Sequence, residues 1–471
     1  MNAPLIWIVF PVIVSVILFF LSARRYLVVG LATGSNLFFV LLGLLLPIDR
    51  LIKLGPWAFE VSSTLMVFGR KFVITDSDAH LVVFLYFFAA FWFFGAGVVR
   101  AHRLFIPIGQ CMVAIAVAAI SVEPFLYAGL LIEVAVLLSV PMLVPPGRRV
   151  GQGVLRYLIF QTLALPFVLY AGWVSAGVEA NPANQRLLQQ GVVLLGLGFA
   201  FWLAVFPFHS WVPILVGEAQ PYVSGFLLSL LQTVVLLLML GFLDSFAWLR
   251  DFSVLSQVLQ LVGTIMVASA GIMAAFQRDV ARLFGQAVIL ESGFALLALS
   301  VPGYQGAEVF AGFFAGRLLA LALWALALSN LAADGISFGF DHLKGLLHRL
   351  PLTSIAVVLS VFSIAGLPLL ASFPVRLMLF DRLIPEAVNA VIWVMIGCLG
   401  MLMGGIRTMM VVAHSQEGWR FEERLPPAIL MAIGLLGLVI IGIFPRWIMP
   451  YLIQLLDPFQ SLGVLMILPL I

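Results

Sequence analysis

Residues 206–232 read FPFHSWVPILVGEAQPYVSGFLLSLLQ. An apolar run enters Phe206-Pro207-Phe208-His209, breaks, and a second apolar run begins near Pro221. Proline removes a backbone donor and clashes with the preceding turn, so it ends or kinks a helix. Here the break stands beside a histidine and a carboxylate, Glu218. Inside a bilayer such irregular backbone is tolerated only where protein or a water-filled cavity surrounds it. The rest of the chain is therefore read as the scaffold of this segment.

The composition makes the bilayer the setting. Of 471 residues, 63% are hydrophobic and 10% are charged, against about 45–50% and about 25% in soluble chains. The two cysteines, Cys111 and Cys398, lie within apolar runs and read as small core residues. No CxxC, HExxH, GxGxxG or P-loop pattern occurs, so neither a metal site nor a cofactor is expected. The net charge of +3 sits in short loops; it is a topology signal and gives no reason to expect nucleic acid. The aromatic load, 40 Phe and 11 Trp, suits packing and lipid-facing surface.

Runs of about 20 apolar residues are candidate spans. They fall at 4–22, 26–47, 81–99, 104–122, 125–144, 154–176, 191–206, 222–243, 255–276, 281–300, 306–331, 351–369, 388–412 and 427–445. The piece 448–471 is interrupted by Asp457 and Pro458. The expected fold is all-α: a polytopic transmembrane bundle of about 14 helices with broken helices. The first run lacks preceding basic residues, so it reads as an uncleaved span with its N-terminus outside. Loops with Arg24/Arg25, Arg100/Arg103, Arg148/Arg149, Arg278/Arg282, Lys344/Arg349 and Arg420/Arg424 alternate with loops such as those of Asp76/Asp78, Glu123, Glu179 and Asp244/Asp251. Every second loop is basic, which places both ends outside. The 48–80 loop alternates enough to predict a short external hairpin.

The chain also hints at duplication. Glu133 precedes Pro207 by about 75 residues, and Glu291 precedes Pro368, in GLPLLASFPVR, by about 77. Interrupted helices at matching positions point to inverted repeats around a central pathway. The expected units are residues 1–103, N-terminal helices and an external loop; 104–248 and 249–412, the two repeats; and 413–471, C-terminal helices. Helix breaks are expected at Pro207, Pro368 and Pro374.

Six residues are candidates for a proton pathway. Glu133 is flanked by apolar residues, and a carboxyl at that depth normally faces a cavity or a partner. It reads as a site that loads and releases a proton, or as a structural hydrogen-bonding group. Arg317, in FFAGRLLALALW, is its natural counter-charge, or else a snorkelling arginine. Glu291 reads as functional or as part of a local pair, and Arg376 as a site residue or an anchor at a helix end. His209 suits a proton shuttle because imidazole titrates near neutral pH; otherwise it hydrogen-bonds the break. Gln232, about two turns into the next helix, binds water but does not titrate. Glu218 reads as a solvated loop residue.

At these residues a family becomes recognisable. GLGFAFWLAVFPFHSWVP followed by AQPYVSG resembles the "P-[FL]-H-x-W-[LT]-P" block of the antiporter-like subunits of respiratory complex I and related cation/proton antiporters. LYAGLLIEVAVLLS resembles that family's "W-E-L-M" helix. FQRDVARLFGQAVILESGF resembles its "Q-x-D-[IL]-K-R" block, and FDHLKGLLHRLP with SIAGLPLLASFPVRLMLF resembles its "D-L-x-G-L" and "S-L-x-G-[IL]-P-P" blocks. The likeness runs over residues 105–385. It implies a line of buried charges across the membrane midplane that passes protons and couples neighbouring subunits. Glu133 matches the helix 5 glutamate of that line, and His209 the histidine after the break. Trp202 stands where the family has its helix 7 lysine, Gln232 at or beside the helix 8 lysine, Arg376 at the helix 12 lysine, and Ala281 at the lysine of the "D-[IL]-K-R" block, while Asp279 and Arg282 remain. Arginine practically never deprotonates, and tryptophan and glutamine have no proton to give, so the usual relay is not intact.

The resemblance implies a proton-conducting membrane subunit of a complex I-like assembly in a cell inner (plasma) membrane, acting beside other membrane subunits of a hetero-oligomeric complex. Such a chain is a non-catalytic translocase subunit of an NADH:quinone oxidoreductase-like complex, without redox groups of its own. The alternative is a divergent, non-pumping or energy-coupling partner of a membrane hydrogenase, a cation/proton antiporter or an inorganic-carbon uptake system.

Overall fold

The structure, a computed structural model, describes residues 2–54, 57–67, 69–99, 101–144, 147, 149–181, 184–250, 252, 254–414 and 418–463. Arg100, Arg148, Asp251 and the end of the last apolar piece lie outside the described residues.

The chain is a helical membrane protein. In order, the helices are α1 (Phe10–Phe20), α2 (Arg25–Leu45), α3 (Ala79–Val99), α4 (Phe105–Ser121), α5 (Ala128–Leu143), α6 (Gln152–Ala180) and α7 (Gln185–Trp202). Next come α8 (Trp211–Glu218), α9 (Pro221–Ser245), α10 (Ala247–Arg250), α11 (Leu255–Phe276), α12 (Val280–Ser300) and α13 (Tyr304–Ala333). The last are α14 (Leu346–Arg349), α15 (Pro351–Ala365), α16 (Phe373–Leu383), α17 (Val388–Ala413), α18 (Leu425–Ile443), α19 (Met449–Ile453) and α20 (Gln460–Gly463). Ten of the described helices are long and apolar enough to cross a bilayer, and a π-helical turn extends α1 to Leu5. Thirteen of the 14 sequence runs hold one such helix or a shorter apolar one, and the run 191–206 holds α7. The second halves of the broken helices, α8 and α16, fall between the runs.

The fold is not purely helical. β1 (Leu51–Leu54) pairs antiparallel with β2 (Trp57–Glu60). β3 (Thr64–Val67) pairs with β4 (Arg70–Val73), and β4 with β5 (Val122–Glu123). The hairpin expected in the 48–80 loop is therefore present, and there are two of them.

Burial follows sequence character. In α9 every residue from Pro221 to Leu243 is buried, as expected of a helix that is apolar all round and enclosed by others. α12 and α13 are nearly as enclosed, whereas under a third of the apolar window of α2, α17 and α18 is buried. Glycines set the closest approach. A Cβ on Gly271 of α11 would lie 1.9 Å from the Gly397 carbonyl oxygen of α17, and one on Gly400 would lie 2.3 Å from that of Gly271. Small residues let helix backbones meet this closely, the usual route to association inside a bilayer.

Both interrupted helices end in the same way. After α7, Ala204 has φ +55°, the Ala204 amide donates to Phe201 and the Val205 amide to Ala200. After α15, Gly366 has φ +84°, its amide donates to Ser363 and that of Leu367 to Phe362. This is the Schellman pattern, which satisfies carbonyls a helix end would leave bare. Pro207 and Pro368 follow two or three residues later, where proline prevents continuation. Pro374 is not a break. It sits in the first turn of α16, where its missing amide costs no hydrogen bond.

Candidate functional site

The second half of the chain carries a buried polar cluster. Glu291 lies midway along α12, Gln232 midway along α9, Arg317 midway along α13, and Arg376 in the first turn of α16. Each is at most 2% exposed. Arg376 Nη2 donates to Glu291 Oε1 at 2.6 Å. Its Nη1 reaches Cys398 Sγ at 3.6 Å, and the guanidinium lies 4.0 Å from the centre of the Phe294 ring. A Cβ on Gly366 would sit 2.9 Å from Arg376 Cδ. The break thus leaves the space through which Arg376 passes to Glu291. Arg376 is a buried partner in an ion pair, not an anchor at a helix end.

Arg317 belongs to the same cluster. Its Nη2 donates to Gln232 Oε1 at 2.6 Å, and Ser292 Oγ donates to that oxygen at 2.9 Å. The expected pairing of Arg317 with Glu133 is not seen among the described residues: the partner of Arg317 is Gln232 and that of Glu133 is Thr162. Gln232 lies about three turns into α9, at 1.5 Å per residue, not two.

The first half is arranged differently. Glu133 of α5 is only half-buried, beside the outward-facing Leu130, Val134 and Leu137. Its Oε1 accepts from Thr162 Oγ1 of α6 at 2.8 Å, and its Oε2 is buried with no partner among the described residues. Trp202 is buried. Its ring lies 3.5 Å from where a Cβ would stand on Gly129, one turn before Glu133. An indole thus packs on the same helix one turn before the carboxylate. His209 is buried in the 3₁₀ turn after the break and stacks on Phe206 at 5.3 Å. Its Nδ1 finds no partner among the described residues, so that nitrogen does not hydrogen-bond the break.

Two residues work differently from their sequence reading, or beyond it. Glu218 is not merely solvated. Its Oε2 accepts from the Gly153 amide at 2.7 Å, capping the start of α6 where free amides need acceptors. Gly151 and Gly153 permit this, since a Cβ on Gly151 would lie 2.2 Å from that oxygen and one on Gly153 2.6 Å from the Leu215 amide. Asp279 caps α12, accepting from the Ala281 and Arg282 amides at 2.9 Å each. The sequence signal was available for Asp279, an acidic residue at a helix start, but not for Glu218, which ends α8 and caps a helix 65 residues away. Among the described residues no group of three His, Cys, Asp or Glu side chains is placed to hold a metal ion.

The architecture and buried charges define a class: a polytopic membrane protein with broken helices facing charged side chains in the interior. Residues 169–404 match the family described as NADH:quinone oxidoreductase/Mrp antiporter, transmembrane. The chain belongs to that family, as an antiporter-like membrane subunit. It is 28% identical over 451 residues to NADH-quinone oxidoreductase subunit 14 of Thermus thermophilus, covering 88% of this chain and 96% of that one. It is 26% identical over 322 residues to NADH-quinone oxidoreductase subunit N 2 of Syntrophobacter fumaroxidans, covering 64% and 67%. The fold matches a chain of an archaeal membrane-bound sulfane sulfur reductase with TM-score 0.81 and 17% identity, covering 98% and 97%. It matches a chain of the Mrp complex of Dietzia with TM-score 0.80 and 13% identity, covering 98% and 99%. A chain of Thermus thermophilus complex I matches with TM-score 0.74 and 19% identity, covering 98% and 99%.

Proposed function

We propose that this chain is a membrane subunit of a complex I-like or related energy-coupled assembly, and that proton movement is coupled through its buried polar residues. The observation carrying this reading is the Glu291–Arg376 pair beneath the break between α15 and α16, extended by Arg317, Gln232 and Ser292. A bilayer protein keeps such charges in its interior at a cost that selects for function. In this reading the chain crosses a plasma membrane 14 times, with residues 104–248 and 249–412 as inverted repeats. The matching Schellman ends after α7 and α15 support that duplication. Glu133 and His209 serve the first half of the pathway, and Glu291, Arg317, Arg376 and Gln232 the second.

Glu133 supports partner subunits. It is half-buried on a face where Leu130, Val134 and Leu137 point outward, and such a face meets hydrocarbon unless another subunit covers it. A second reading, a coupling subunit that no longer conducts, has its own observation. Trp202 occupies the place beside helix 5, and both buried cations are arginines, which hold their protons.

The experiment is proton flux in liposomes containing the chain with its partner subunits. Glu133→Gln is expected to abolish flux; unchanged flux removes Glu133 from the pathway. A wild-type assembly that conducts nothing ends the first reading and leaves the second.

A further inference from the structure

The cluster on α9, α12, α13 and α16 buries two guanidinium groups against one carboxylate. Arg317 and Arg376 are cations and Glu291 is an anion, so one positive charge is uncompensated. The other titratable group in contact is the Cys398 thiol, which accepts from Arg376. The remaining polar neighbours, Gln232, Ser292 and Ser372, are neutral. An excess charge in a low-dielectric interior is strongly disfavoured unless something of opposite sign meets it.

The unpaired donors gather around Arg317. It is 1% exposed, and its Nε and Nη1 have no hydrogen-bond partner among the described residues. Gln232, which takes the third nitrogen of Arg317 on its carbonyl oxygen, leaves its own Nε2 unpartnered. Ser372 Oγ is also buried and unpartnered. It lies 3.1 Å from the point a Cβ would occupy on Gly316, the residue before Arg317. The guanidinium of Arg317 and the amide of Gln232, joined by one hydrogen bond, both keep unpartnered N–H groups. The Ser372 hydroxyl lies beside the same stretch of α13, and buried N–H and O–H donors bind anions.

We propose that Arg317, with the Gln232 amide and the Ser372 hydroxyl, forms a binding site for a small monovalent anion of the halide class. One negative charge balances the cluster, whereas a divalent anion would overshoot it. The site is independent of whether the subunit conducts protons: the anion supplies a counter-charge that Glu291 alone cannot give to two arginines. Glu291 is then the group an anion competes with for the arginine charge, and this gives the test its sign.

The full-length protein is purified in chloride-free sodium gluconate. Its unfolding temperature is followed as chloride replaces gluconate at constant ionic strength, with bromide, nitrate and bicarbonate as parallel series. The expected result is a saturable rise with chloride and bromide that is lost in Arg317→Gln. Glu291→Gln removes the competing carboxylate and should lower the chloride concentration at half-effect by about tenfold. A merely structural role for Glu291 would lower stability without moving that midpoint. Arg317→Lys, which keeps the charge but not the directed donors, stands in if Arg317→Gln does not fold, and should raise the midpoint. No saturable response in the wild type overturns the proposal. So does a response that survives Arg317→Gln unchanged, an Arg317→Lys midpoint that does not rise, or a Glu291→Gln midpoint that stays or rises. Tighter response to nitrate or bicarbonate than to chloride overturns the halide assignment.

Discussion

Replacing Glu291 with glutamine isolates the charge of the buried pair. The amide keeps the side chain's volume and an oxygen to which Arg376 donates, so the change removes charge and little else. The pair meets at 2.6 Å between Nη2 and Oε1, with both side chains at most 2% exposed. Unit charges about 4 Å apart attract by about 4 kcal/mol at an effective dielectric of about 20. Removing one partner of a buried pair costs about 3–5 kcal/mol. The two routes agree, and Glu291→Gln should lose about that much. Arg376→Met perturbs the cluster in the other direction. It removes a cation and leaves Glu291 facing Arg317, one charge against one. It should therefore cost less than Glu291→Gln, by about 2 kcal/mol on the same Coulomb scale. Equilibrium unfolding in mixed micelles, in chloride-free buffer so that no halide compensates, measures both. The reasoning fails if Arg376→Met costs as much as Glu291→Gln, or if Glu291→Gln costs under about 1 kcal/mol.

Three further substitutions probe the scaffold. Gly366→Ala forces a side chain into φ +84° with its Cβ 2.9 Å from Arg376 Cδ. The backbone alone costs about 1–2 kcal/mol, and a neutral result in the same unfolding assay would contradict the Schellman end of α15. Gly271→Val drives a branched side chain toward the Gly397 carbonyl, 1.9 Å from the Cβ position. Overpacking of this kind costs about 1–3 kcal/mol or more, so monodisperse protein on size exclusion should fall sharply; normal recovery would show that α11 and α17 have room to part. Glu218→Ala removes the acceptor for the Gly153 amide and should lower stability by about 1 kcal/mol, the usual loss for a helix cap. A milder loss in Glu218→Gln than in Glu218→Ala identifies the oxygen, not the charge, as the working part.

The helices were legible because a bilayer imposes a simple rule on sequence: about 20 apolar residues per crossing. The break at Pro207 was legible for the same reason, since proline interrupts an otherwise continuous run. Pairings were less so. Glu133, Arg317, Glu291 and Arg376 all announce themselves as charges in apolar helices, but depth along a helix does not fix which neighbour it faces. Arg317 was matched to Glu133 by type, and the structure gives it Gln232 of α9 as its partner instead. Arg376 looked like a helix-end residue because Pro374 looked like the break, whereas the left-handed Gly366 ends α15 and lets α16 begin inside the core. Glu218 was missed because its partner is a backbone amide, and Gly151 and Gly153 admit it through what they lack.

The two halves of the chain now differ in a way that bears on any proton pathway. The first has a carboxylate whose described partner is a hydroxyl, with an indole packed nearby. The second has a carboxylate bonded to one guanidinium, with a second guanidinium bonded to Gln232 in the same cluster. Lysine in those places would be able to shed its charge as its surroundings changed, but arginine keeps it. The groups in the second cluster whose charge is able to change are therefore Glu291 and Cys398. A proton arriving on Glu291 would leave two buried cations facing each other, the charge state that Glu291→Gln imitates. The loss of about 3–5 kcal/mol expected of that variant is the dependence of the second half on one buried carboxylate. Flux that survives Glu291→Gln would contradict a role for that carboxylate in the pathway, whereas flux lost in Glu291→Gln and kept in Arg376→Met would separate its charge from its partner.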